Sequence, residues 1–181
     1  MIILASNSPR RKELLSLAGL EFAVDSANAD ETLPEGMTNP KDVVEYLSKV
    51  KASEIKDKES IIIGADTVVA VDNMILGKPE DEQSARQMLG MLSGKVHSVF
   101  TGVTIMHPQG EITFSVETKV EFYPLTSIEI EDYIATGEPM DKAGSYGIQG
   151  KGGLFIKRIE GDYFNVVGLP LARTVRELKN I

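Results

Sequence analysis

The chain has 181 residues, with 19 lysines and arginines against 27 aspartates and glutamates, a formal net charge of −8. A chain of this length builds one sizeable core, and its acidic balance argues against general nucleic-acid binding, which calls for a basic face. It contains no cysteine, which excludes disulfides, a thiol nucleophile and thiolate metal ligands, and no apolar run approaches the roughly 18–20 residues that cross a bilayer.

Ile2 to Ala5 predicts a short buried strand. The opening MIILASNSPRRKELL has too short an apolar run for a secretion signal, and its charges follow that run instead of preceding it. ASNSPRRKELL then predicts a helix, with Ser8 as N-cap, Pro9 at the first position, an apolar stripe of Leu14, Leu15 and Ala18, and Gly19 as the stop. Glu21 to Ser26 reads as a weak second strand. Ala27 to Thr38, acidic and carrying Pro34 and Gly36, reads as a loop. Asn39-Pro40 opens a helix with Val43, Val44, Leu47 and Val50 on its apolar face. Ser60 to Gly64 predicts a buried strand. A hairpin follows Asp66, with arms Val68–Val71 and Met74–Leu76 turned at Asp72-Asn73. A helix over Asp81–Leu92 ends at Ser93-Gly94, and two long strands, Val96–Met106 and Glu111–Phe122, flank a His107–Gly110 turn. Ser127–Thr136 predicts a helix closed by Gly137, and a glycine-rich stretch runs to Gly153. Leu154–Ile159 reads as a strand, Gly161-Asp162 as a turn and Pro170–Lys179 as a closing helix. This order predicts an α/β fold with a mixed sheet, in a single domain over 1–181.

Several side chains bear on function. Arg10, Arg11 and Lys12 fill the first turn of the first helix, where the backbone is already partly positive and cations cost roughly 0.3–1 kcal/mol each. Such a turn is either a solvated basic surface or an anion site, because free N–H groups at a helix start bind phosphate and arginine adds bidentate bonds. Lys51 extends the apolar stripe of its helix, so it either snorkels along the core edge or aims its ammonium into a pocket. Lys78, in LGKP, and Lys142, in PMDKAG, read as solvated turn lysines. Asp66 follows the buried run IIIGA, and ligand sites of α/β folds gather at the carboxyl ends of strands. A carboxylate there binds a divalent cation or takes a proton from water, or forms an Asx turn with Thr67. Glu31 is a weaker second carboxylate in its loop. GEPMDKAGSYGIQGKGG holds six glycines in seventeen residues, which let a backbone approach a ligand closely or take positive φ. It is neither a P-loop nor a dinucleotide fingerprint. Within it, Gln149 offers the donors and acceptor needed to read a base edge. His97 and His107 are too few for a histidine metal site and read as structural.

Taken in order, ASNSPRRKELL, GADTVV, LGKP, SGKVHSVFTGV, EPMDKAGSYGIQG and GDYFNVVGLP resemble the Maf family of nucleotide pyrophosphatases over nearly the whole chain. Arg10 after Ser8-Pro9, Thr67 after Asp66 and Gln149 in YGIQG resemble the branch acting on thymidine and uridine triphosphates, with modified pyrimidine triphosphates as a further substrate class. The resemblance implies an inosine-triphosphatase-like α/β fold, an elongated mixed β-sheet with flanking helices and a central cleft, in a homodimer; the cytoplasmic setting is the expectation from the short N-terminal apolar run and the lack of a spanning segment. It implies hydrolysis of a nucleoside triphosphate to the monophosphate and pyrophosphate with a divalent cation, Mg²⁺ or Mn²⁺. By the same resemblance Asp66 is the proton acceptor, Arg10, Thr67 and Gln149 select the substrate, and Ser8, Arg11, Lys51 and Lys78 line the phosphate site. Asp66 and Glu31 are the implied metal ligands. Neither nucleic acid nor membrane is an expected partner. The rival reading is a nucleotide-sensing regulator of septum formation with incidental hydrolysis.

Overall fold

A computed structural model describes residues 1–26 and 28–181; Ala27, where the acidic loop was expected to start, lies outside the described residues. The strands are β1 Ile2–Leu4, β2 Phe22–Val24, β3 Ile61–Val71, β4 Met74–Leu76, β5 Val96–His107, β6 Gly110–Phe122 and β7 Ile156–Glu160. The helices are α1 Pro9–Leu17, α2 Pro40–Ser53, α3 Glu82–Leu92, α4 Ser127–Ile134, α5 Tyr163–Val167 and α6 Leu171–Leu178. The strands form one seven-stranded sheet in the order β2-β1-β3-β5-β6-β7, with β4 also paired to β3. β1 is parallel to β2 and β3, whereas β3–β4 and β6–β7 are antiparallel, so the sheet is mixed as expected. Among the described residues no helix is long and apolar enough to cross a membrane.

The residues group into two compact units. The first comprises Met1–Thr67, Phe100–Val116 and Phe164–Ile181. Leu4, Leu15, Val44, Ile63, Val103, Ile105 and Leu169 are fully buried in it. Asn39 caps α2 as the sequence indicates, its Oδ1 accepting the Lys41 N–H at 2.9 Å. Ser8 does stand at the N-cap of α1, but its side chain makes no cap bond. Instead its own N–H donates to Ser6 Oγ at 3.2 Å.

The second unit comprises Val68–Val99 and Glu117–Tyr163. Asp81 opens α3 with a capping box, its Oδ1 accepting the Ser84 N–H at 2.7 Å, and Thr126 with Glu129 does the same for α4. Its core holds an edge-to-face aromatic cluster: Phe122 lies 4.7 Å from Tyr146 and 4.9 Å from His97 between ring centroids, and Tyr133 lies 5.0 Å from Phe155. His97 is structural, as read, with Nε2 2.8 Å from the Tyr146 hydroxyl.

Burial lowers the His97 pKa from 6.5 to about 4. A group with a depressed folded pKa supports stability fully above its unfolded value and loses that support as pH falls toward the folded one. Between pH 6.5 and 4 this residue is expected to withdraw about 3 kcal/mol of stability, at about 1.4 kcal/mol per unit. Urea unfolding at a series of pH values checks this, and a His97→Gln variant should show a flatter acid limb than the parent.

Three elements depart from the sequence reading. The segments expected at Ser60–Gly64 and Val68–Val71 form one continuous 11-residue strand, β3. Gly64 and Ala65 are poor strand formers, but packing overrides propensity here. β3 is buried along nearly its whole length, as a strand covered on both faces must be. The final strand begins at Ile156 because Leu154 and Phe155 belong to a 3₁₀ turn. Helix α5 was not anticipated, since its five residues are too few to display a helical period.

Candidate active site

Asp66 lies inside β3, not at a strand's carboxyl end. Successive strand residues point to opposite faces, and Asp66 and Thr67 accordingly engage different cations. Asp66 is buried, and its Oδ1 accepts from Lys51 Nζ at 2.6 Å. Lys51 sits in the last turn of α2 and reaches Glu31 Oε1 at 3.2 Å with the same ammonium. The apolar stripe therefore carries Lys51 to a pair of carboxylates; of its two sequence readings, the inward one holds.

Thr67 Oγ1 accepts from Arg11 Nη2 at 3.1 Å and lies 2.9 Å from Thr101 Oγ1. Thr101 is fully buried and donates to the Asn165 carbonyl at 2.9 Å. Arg11 also donates from Nε to the Gly168 carbonyl at 2.8 Å and from Nη1 to Ser6 Oγ at 3.2 Å. Its bonded partners are thus neutral oxygens, so its positive charge is braced without being cancelled by direct pairing. Burial pushes the Arg11 pKa down, the Asp66 carboxylate pulls it up and Arg10 pushes it down; a guanidinium remains charged at neutral pH regardless. Ser8 and Arg10 stand half-buried at the same helix start.

The first unit thus gathers Ser8, Arg10, Arg11, Glu31, Lys51, Asp66 and Thr67. Lys78 and Gln149 belong to the second. Lys78 is exposed just beyond β4, and Gln149 is exposed on a turn in which the Gly150 N–H donates to the Gly147 carbonyl at 3.4 Å. Lys142, read as solvated, is instead tied down, with Nζ 2.7 Å from both the Glu138 carbonyl and Asp141 Oδ1. His107 is half-buried, with Nδ1 3.1 Å from Gln109 Oε1. The sequence reading assigned no role to Ser6, Thr101 or Gly168. They lie in ASNSP, SVFTG and VVGLP, segments that carried the resemblance, but nothing local marks them as supports of Arg11.

Asp66 and Glu31 present carboxylate oxygens to one ammonium, the hard-donor chemistry a divalent cation also accepts. Among the described residues no group of three or more His, Cys, Asp or Glu gathers for a metal. Two carboxylates completed by phosphate oxygens and water is a manner in which Mg²⁺ is commonly bound, so the donor set fits such an ion.

The family model described as Maf-like protein matches residues 1–181. The chain belongs to the Maf family. A Geobacillus sp. (strain WCH70) protein named dTTP/UTP pyrophosphatase is 57% identical to this Maf chain, covering 99% of it and 97% of the relative. A Bacillus cytotoxicus protein of the same name is 54% identical over 98% of this chain and 93% of its own. Among solved structures, a HAM1 protein from Coxiella burnetii superposes with a TM-score of 0.51 at 12% identity, covering 99% of this chain and 98% of that one. At that identity the likeness is one of fold, and it agrees with the expected inosine-triphosphatase-like α/β architecture.

Proposed function

We propose that this Maf protein is a nucleoside triphosphate pyrophosphatase that hydrolyses dTTP and UTP to the monophosphate and pyrophosphate. One observation carries the reading beyond the identity to its named relatives: a buried carboxylate in contact with a lysine, in the same unit as a guanidinium braced by neutral oxygens. Arg11 and Lys51, with Ser8 and Lys78, bind the polyphosphate and offset its charge. Asp66 takes the proton of the attacking water as its oxygen bonds to the α-phosphorus; the bond to the bridging oxygen breaks, and pyrophosphate leaves with the electron pair. Asp66 and Glu31 would hold a divalent cation, Mg²⁺ or Mn²⁺, which when bound polarises phosphate oxygens. Arg10 and Thr67 shape selection of the substrate, and Gln149 reads the pyrimidine edge. Modified pyrimidine triphosphates fall within the same chemistry, and the setting is cytoplasmic.

The test is pyrophosphate release, coupled to inorganic pyrophosphatase, across normal and modified nucleoside triphosphates with and without Mg²⁺ or Mn²⁺. Metal-dependent turnover with the highest kcat/KM on dTTP and UTP is expected. Tight nucleotide binding with no turnover would overturn the enzymatic reading in favour of a sensor. A Gln149→Ala variant should keep measurable turnover while its preference for UTP over CTP falls by about tenfold or more, since a site that hydrogen-bonds its substrate discriminates through the groups a wrong base strands.

A further inference from the structure

The glycine-rich stretch after α4 wraps around two polar side chains of its own unit. Tyr133, near the end of α4, accepts the Gly147 N–H at 3.1 Å and donates its hydroxyl proton to Glu138 Oε1 at 2.9 Å. That oxygen also accepts the Gly152 N–H at 3.2 Å, while Oε2 accepts the Lys151 N–H at 3.0 Å. The backbone is therefore pinned on both sides of the Ile148-Gln149-Gly150 tip. A Cβ on Gly150 would lie 2.3 Å from Glu138 Oε1, and one on Gly152 would lie 2.7 Å from the Tyr133 hydroxyl. These two glycines make room for the protein's own side chains, a third use of glycine beside close approach to a ligand and positive φ.

The clamp holds one protonation state around neutral pH. Burial pushes the Glu138 carboxyl up, but the Lys151 and Gly152 N–H groups, the Tyr133 hydroxyl and the Lys142 charge outweigh it and leave it below the usual carboxylate range. Burial pushes the Tyr133 hydroxyl well above its ordinary value, so it remains a proton donor. A carboxylate that accepts three hydrogen bonds is a strong anchor, and a side chain that reads hydrogen-bonding edges needs its backbone fixed to about half an ångström.

We propose that Glu138 and Tyr133 are positioning residues that hold the Gln149 tip in place and thereby set base selectivity. The proposal rests on the base-reading role given to Gln149. The experiment compares Glu138→Gln, Tyr133→Phe, Gln149→Ala and the two clamp variants each combined with Gln149→Ala, reading kcat/KM for UTP over CTP together with hydrogen exchange at the Lys151 and Gly152 amides. Each clamp variant is expected to speed that exchange and lower the UTP preference by about tenfold, the worth of a lost hydrogen bond to a charged group. The loss should fall mainly on KM for UTP, with kcat within about threefold of wild type. Neither clamp variant should lower selectivity further in the Gln149→Ala background, because both act through that side chain. Tyr133→Phe keeps its ring packed on Phe155 and decides the matter if Glu138→Gln does not fold. Faster exchange with wild-type selectivity, while Gln149→Ala loses it, would overturn the clamp and leave the base reader standing. An additional fall in the double variants would overturn it too, because the clamp would then act elsewhere. Unchanged selectivity in Gln149→Ala would overturn both assignments.

Discussion

Asp66→Asn is expected to cut kcat for dTTP and UTP by about 10²–10⁴-fold, the usual contribution of a positioned general base, while KM moves only a few-fold. The substitution is nearly isosteric but removes the basic lone pairs that would take the proton of water. Lys51 stays paired with Glu31, whose Oε1 lies 3.2 Å from its ammonium, so the variant does not leave that lysine without an ionic partner. Thermal unfolding of the variant separates a chemical defect from a folding one. Steady-state pyrophosphate release then gives the split between kcat and KM. Wild-type release from a folded variant would remove Asp66 from the role of proton acceptor.

Gly64→Ala is expected to cause a large loss of stability. A Cβ there would lie 2.2 Å from the Ser48 carbonyl oxygen and 2.8 Å from the Ala52 nitrogen. Both are backbone atoms of α2, so the helix itself would have to move away from β3. Forcing a methyl into such a core contact costs about 1–3 kcal/mol or more. The displacement also reaches chemistry, because α2 carries Lys51 and places it 2.6 Å from Asp66. Turnover should therefore fall even at temperatures where the variant remains folded. Gly90→Ala is the matched control. Gly90 lies within α3, and a Cβ there meets nothing within 4 Å, so alanine should stabilise by about 0.5–1 kcal/mol through helix propensity. Urea denaturation of the two variants beside the parent reads both signs. A Gly64→Ala midpoint equal to the parent's would mean that the close approach of α2 to β3 is not a stability determinant.

These expectations separate local information from tertiary information. Asn39, Asp81 and Thr126 cap helices through hydrogen bonds to residues two or three positions away, and such short-range chemistry is legible in sequence. The Asp72-Asn73 turn was legible for the same reason; both residues take positive φ, at 49° and 63°, as a tight hairpin requires. The apolar faces of α2 and α3 follow from helical spacing alone. The family, and with it Asp66, Arg11 and Lys51 as residues worth watching, also came from the sequence, carried by motifs spread along the chain.

The arrangement of the site had no local signal. Arg11 bonds to Gly168, 157 positions away, and to Thr67, 56 positions away, and no short window contains both ends of either contact. Whether its guanidinium turned to solvent or inward depended on oxygens supplied by distant segments, since a basic first turn is compatible with both. The same holds for Glu138, to which the sequence assigns no role and which becomes an anchor only because Lys151 and Gly152 fold back onto it. The sequence by itself determined most of the elements, the caps at Asn39, Asp81 and Thr126, and the chemical types on offer, because those depend on neighbours within a turn or two. Only the tertiary structure decided that β3 runs straight through Asp66, and which cation meets which oxygen. Those outcomes depend on close packing between segments far apart in the chain, where small residues such as Gly64 and buried acceptors such as Ser6 act through the space they leave or fill.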